Sequence, residues 1–89
     1  MTSRQVTIVN RLGLHARAAA KFVHLASRFD CAINVSLGAE SVEAKSILGL
    51  LMLAAAQGSE LEIRCDGADE EQAAEALESL IRDRFGEGG

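Results

Sequence analysis

Apolar and polar residues follow two different periods along this chain, and the switches between them mark out its elements. Val6-Thr7-Ile8-Val9 is β-branched and reads as a short strand, and Asn10 to Leu14 reads as a loop in which Gly13 supplies backbone freedom. From Ala16 the period becomes helical. Ala19, Phe22, Val23 and Ala26 share one face, with Lys21, His24 and Arg28 towards the other, and Asp30 falls in the turn that follows. Cys31, Ile33, Val35 and Leu37 then alternate with Ala32, Asn34 and Ser36, the pattern of a strand buried on one side. Gly38 to Glu40 predicts a turn, and Ser41-Val42-Glu43 a short returning strand. Ser46 is placed to cap a second helix that starts at Ile47, becomes irregular over Leu53 to Gln57 and ends by Gly58. Leu61, Ile63 and Cys65 alternate with charged residues as another one-sided strand. Asp69 with Gln72 reads as a capping box opening a last helix. Its apolar face is Ala73, Leu77, Leu80 and Ile81, with Glu70, Glu71, Glu75 and Glu78 around it.

The order is therefore β-α-β-β-α-β-α. One-sided strands must cover their apolar face, and here only helices are available to do so. The pattern predicts the α+β class: an open-faced β-sandwich, a four-stranded sheet with helices on one face and water on the other. Its 89 residues suffice for a single domain over 1–89, with 84–89 expected as a frayed tail.

Composition narrows the class further. Hydrophobic residues make up 48% and charged residues 25%, the balance of a globular protein. The longest apolar run, Ile47 to Ala56, is too short to cross a bilayer, and the first residues, Met1-Thr2-Ser3-Arg4-Gln5, lack the apolar core of a signal peptide. A cytoplasmic protein without membrane insertion is the expectation. Two cysteines form neither a disulfide framework nor a zinc motif, so Cys31 and Cys65 read as buried, reduced thiols, and no metal or cofactor is expected. The net charge of −4 hides an asymmetry. Up to residue 30, Arg4, Arg11, Arg17, Lys21 and Arg28 face Asp30 alone, a balance of +4, and the remainder carries −8. Positive charge thus gathers around His15, where a phosphate or an acidic partner is favoured. Nucleic acid is disfavoured, because the overall sign is wrong and the only aromatics are three Phe with no basic stripe among them.

Candidate chemistry lies at the start of the first helix, in Asn10-Arg11-Leu12-Gly13-Leu14-His15-Ala16-Arg17. A helix N-terminus offers unpaired N–H groups and partial positive charge, and so is a natural anion site. A histidine there, with Arg17 two residues on, reads as a nucleophile whose phosphorylated form the amides and the guanidinium stabilise. The alternative is an ordinary loop histidine or helix cap beside a solvated arginine. Ser46 has two readings, a helix cap and a phosphorylation site. Ile47, Leu48 and Leu51 read either as core or as an exposed patch, since a helix apolar nearly all round cannot bury every side chain. His24 reads as exposed and idle.

Taken in order and at this spacing, Gly13-Leu14-His15-Ala16-Arg17, Ala44-Lys45-Ser46-Ile47 and Gln57-Gly58 resemble the HPr family, the histidine-containing phosphocarriers of the bacterial phosphoenolpyruvate-dependent phosphotransferase system. The resemblance runs from Val6 to Leu80. It implies an antiparallel sheet under three helices, with the second and fourth strands adjacent, and a stoichiometric carrier rather than an enzyme. It implies that His15 Nδ1 accepts phosphate from an enzyme I-type protein and that Arg17 steadies the phosphoryl group. An enzyme IIA-type protein then receives the phosphate. Partners would dock on the first two helices, at Ala16, Ala20, Lys21, Ile47, Leu48 and Leu51, and the carrier would act as a monomer. Where an HPr kinase/phosphorylase exists, Ser46 would be its target. Ala18 stands where the commoner family pattern has proline, and Ala18 to Val23 and Leu50 to Ala56 are similar to NPr, the branch serving the nitrogen-related, regulatory system. The alternatives are a sugar-uptake HPr and a binding module controlled through Ser46.

Overall fold

A computed structural model describes residues 1–87. The elements run β1 (Thr2–Thr7), α1 (Ala16–Ala26), β2 (Ala32–Leu37), β3 (Glu40–Glu43), α2 (Ile47–Leu53), β4 (Glu60–Asp66) and α3 (Glu70–Arg82), closed by a single 3₁₀ turn at Arg84–Gly86. The four strands form one antiparallel sheet in the order β1-β4-β2-β3. Three helices cover one face, as the one-sided strand pattern requires.

The core fills the space between sheet and helices. Ile33, Val35, Leu61, Ile63 and Cys65 point up from the central strands to meet Ala19, Phe22, Leu50, Leu77 and Ile81, all buried. Each large apolar side chain fully withdrawn from water contributes roughly 1.5–3 kcal/mol. Small residues let α1 sit close to the sheet, and Ala18, Ala19 and Ala26 are each 0% exposed. Ala18 is thus a packing residue, and Val23, expected on the buried face, is half-buried.

Three expectations are corrected. First, β1 lies at Thr2–Thr7 instead of Val6–Val9. Its place is set by pairing with β4, from Thr2 opposite Cys65 to Thr7 opposite Glu60. The inward positions at its start are polar because α3 lays acidic residues over them. The Thr2 hydroxyl lies 2.7 Å from Glu70 Oε2 and 2.9 Å from Glu71 Oε1, and Arg4 reaches Glu78 at 3.5 Å. A hydropathy pattern cannot see a strand whose inner face is satisfied by ion pairs and hydroxyls. Ile8, just past the strand, still donates its N–H to Ser59 O and accepts from Gly58 N.

Second, Asp69 and Gln72 do not form a capping box. Asp69 precedes α3 but makes no cap bond to it; its carboxylate accepts instead from the N–H groups of Asp30 and Cys31. Glu70 takes over the local role and accepts from Gly67 N. Third, residues 84–87 are not frayed: Phe85 is 0% exposed and Lys21 Nζ donates to its carbonyl at 2.7 Å. Arg84 and Phe85 both have left-handed φ, 55° and 54°, a bend that burial of the Phe85 ring offsets. The rest of the expected tail, 88–89, lies outside the described residues.

Candidate functional site

The loop between β1 and α1 is held by Gly13. Its φ is +69°, and a Cβ there would stand 2.5 Å from the carbonyl oxygen of Ala55, which accepts the N–H of Leu14 at 2.8 Å. Only glycine permits that approach, so the segment after α2 braces the turn that presents the next residue. Within the loop, Asn10 is fully buried and donates from Nδ2 to Gly13 O at 2.8 Å.

His15 is the N-cap of α1. Its backbone is extended, its carbonyl accepts from Ala19 N, and its side chain makes no cap bond to the helix. The ring is part-exposed, and its Nε2 is hydrogen-bonded to the carboxylate of Glu87. The other carboxylate oxygen of Glu87 accepts from Asn10 Nδ2 at 3.0 Å. Burial pushes the Glu87 carboxyl upward, but the hydrogen bonds from His15 and Asn10 and the charges of His15 and Arg17 outweigh it and hold the group below its ordinary value. Arg17 is exposed in the first turn of α1, which carries no acidic residue. Beside the ring, Arg11, Leu12, Arg17 and Glu87 line an open cleft of about 150 Å³. Backbone donors at a helix start, an uncommitted ring nitrogen and two guanidinium groups around a small cleft make a place where a tetrahedral dianion can be held.

From this site a surface runs along α1. Ala16, Arg17, Ala20, Lys21 and His24 are all exposed, and a shallow groove of about 520 Å³ follows Arg17, Lys21, His24 and Arg28 towards Leu80. The ammonium of Lys21 is not wholly available, because it is bonded to Phe85 O. On α2, Ile47 is 43% and Leu48 68% exposed, whereas Leu51 is half-buried and packs on the core. The expected patch therefore includes Leu51 only in part. Met52, 75% exposed and one turn beyond Leu48, takes the outer position, as its i, i+4 spacing from Leu48 could have signalled. Ser46 caps α2 and accepts from Gly49 N at 3.1 Å.

Cys31 and Cys65 are both buried and unpaired in a disulfide. Burial, followed by the Asp69 carboxylate, pushes the Cys31 thiol up to about 12, and burial raises Cys65 as well. No helix among the described residues is long and apolar enough to cross a membrane. Sequence reasoning missed Asn10 and Glu87 as site residues; nothing local to either one signals the contact.

Fold and site together define a small open-faced α+β protein that presents a histidine at a helix start beside an arginine. A profile described as the PTS HPr component phosphorylation site matches residues 2–83. The phosphocarrier protein HPr of Cupriavidus necator is 50% identical over 88 residues, covering 99% of each chain. Among solved structures, HPr-C-His from Thermoanaerobacter tengcongensis is similar with a TM-score of 0.96 and 43% identity, covering 100% of both chains. A crystal structure of an HPr dimer from the same organism matches with a TM-score of 0.79 and 44% identity, covering 98% of this chain and 100% of that one. The chain belongs to the HPr family of phosphocarrier proteins of the phosphotransferase system, and it is a carrier, not a catalyst.

Proposed function

We propose that His15 is the phosphoacceptor of this carrier, taking a phosphoryl group on Nδ1 from an enzyme I-type protein and passing it to an enzyme IIA-type protein in the cytoplasm. The observation that carries the reading is the first turn of α1: His15 caps the helix without spending its ring on a cap bond, and Arg17 opens on the adjacent cleft. The amide donors and the planar fork of Arg17 suit the phosphoryl oxygens, and a lysine would not reproduce the two-pronged contact. The docking surface is Ala16, Ala20 and Lys21 on α1 with Ile47 and Leu48 on α2, extended by Met52 and the exposed edge of Leu51. A basic row beside an apolar patch fits transient contact with acidic partners. The carrier acts as a monomer, although a similar protein forms a dimer in its crystal.

Ala18 and the runs Ala18 to Val23 and Leu50 to Ala56 support service in the nitrogen-related regulatory branch. The plain name HPr of the similar proteins supports the second reading, a sugar-uptake carrier. Ser46 serves the fold as a cap; phosphorylation there by an HPr kinase/phosphorylase would place negative charge beside Ile47 and Leu48 and hinder acidic partners.

Intact mass after incubation with phosphoenolpyruvate and an enzyme I-type donor tests the main reading. One acid-labile phosphate is expected on the wild type and none on His15→Ala, with both proteins melting alike. A labile phosphate that persists in His15→Ala would move the acceptor elsewhere.

A further inference from the structure

We propose that Glu87 is a positioning residue for this phosphoryl transfer: its carboxylate holds the His15 ring as the Nε2–H tautomer and supplies the counter-charge for the phosphorylated ring. The proposal rests on the carrier reading above and goes beyond it. Glu87 lies 72 residues from His15 in sequence, yet its carboxylate bridges the ring nitrogen Nε2 and the Asn10 amide. Two features bring it there. The buried Phe85 ring and the bond from Lys21 Nζ to the Phe85 carbonyl pin the chain two residues earlier. Asn10 then fixes the carboxylate itself. Its Nδ2 donates both to Gly13 O and to Glu87 Oε1, and its Oδ1 is left buried without a partner. The reverse amide orientation would set Oδ1 against two acceptors, so the amide is committed to presenting donors.

An ionised carboxylate only accepts, so in the neutral ring the proton sits on Nε2 and the lone pair on Nδ1. His15 makes no side-chain cap bond, so that lone pair is not spent on the helix amides. Nδ1 attacks phosphorus; the N–P bond forms as the donor's bond to phosphorus breaks, and the donor leaves with that electron pair. The ring keeps its Nε2 proton and becomes cationic, and the Glu87 carboxylate, hydrogen-bonded to that proton, neutralises the charge. When an acceptor attacks, the N–P electrons return to Nδ1 and the ring is neutral again. No proton is released or taken up in either step. A carboxylate that orients a histidine and stabilises its cation is a recurrent device for imidazole chemistry. Arg11 and Arg17 line the same cleft and are the other charged groups beside Glu87 there.

The test uses full-length, ¹⁵N-labelled wild type, Glu87→Gln and Glu87→Ala. Long-range ¹H–¹⁵N spectra read the His15 tautomer, and the same spectra of the phosphorylated proteins read the protonation midpoint of Nε2. The wild type is expected to be mainly Nε2–H. Glu87→Ala should give a tautomer mixture, a midpoint lower by about one pH unit, and transfer to an acceptor slower by on the order of tenfold. Glu87→Gln keeps an accepting oxygen without the charge, so it should retain the tautomer and lose the midpoint. Phosphorylated variants with the wild-type tautomer and midpoint would overturn the proposal alone. A wild type that takes no acid-labile phosphate would overturn the carrier reading and the proposal with it.

Discussion

Helices α1 and α3 both start against the same sheet, and their first turns are opposite in chemistry. α3 brings its own anions: Glu70 and Glu71 occupy its first turn, and Glu70 accepts from Gly67 N, lies beside the Thr2 hydroxyl and meets the Met1 amino group at 3.0 Å. α1 has no acidic residue in its first turn, a cap residue whose side chain makes no bond to the helix, and Arg17 exposed at its start. Partial positive charge at a helix start is stabilised by nearby negative charge. In α3 the fold supplies that charge permanently. In α1 the helix supplies none; the one carboxylate nearby, Glu87, is bonded to the His15 ring and to Asn10, and the amides of the first turn are left to an incoming anion, which is what a transient phosphoryl carrier requires. Between these extremes stands α2, whose start is closed by the neutral oxygen of Ser46.

The comparison can be broken at each helix. The largest effect is expected from Arg17→Lys, which keeps the charge at α1 but loses the planar fork. Phosphoryl transfer measured by stopped-flow or quenched mass analysis should slow by roughly tenfold to a hundredfold, with the melting temperature unchanged. Wild-type transfer in this variant would remove Arg17 from the site. Next comes Ser46→Ala, where the neutral cap of α2 is lost. Denaturant melts should show a loss of about 1 kcal/mol, while phosphate acceptance at His15 stays as in the wild type.

The smallest change is expected from Glu70→Gln, and it appears as a pH dependence. The Thr2 hydroxyl, then the Met1 amino group and the Gly67 N–H, hold the Glu70 carboxyl down at about 2 instead of 4.5. A group depressed by folding stabilises the native state fully above its unfolded value and loses that contribution as pH falls from 4.5 towards about 2. Acid titration of stability should therefore be shallower in Glu70→Gln than in the wild type over that window. Identical acid limbs would mean the contact does not favour the ionised form.

Much of this molecule was legible in local pattern. The alternation in Cys31 to Leu37 and Leu61 to Cys65 has the observed burial, because period-two patterning in a half-buried strand reflects which side meets the core. His15 was legible as the residue before a helix, since Ala16 to Lys21 are all strong helix formers. Pattern failed where a distant partner sets the structure. Asp69 has the local spacing of a cap, yet its carboxylate turns to the N–H groups of Asp30 and Cys31 at 2.8 and 3.0 Å. Those donors belong to the turn before β2, and only the packed fold brings them near.

The sequence by itself determined the alternation of strands and helices, the side of each that is buried, and the placing of His15 and Arg17 at a helix start. These follow from backbone periodicity and end chemistry, which act over a few neighbouring residues. The tertiary structure alone decided that polar Thr2–Thr7 pairs with β4 and that Leu51 turns partly inward while Met52 faces out. It also decided that a carboxylate near the chain's end reaches the His15 ring. Each of these depends on which surfaces are left once the helices settle on the sheet, and no short window of residues contains that information.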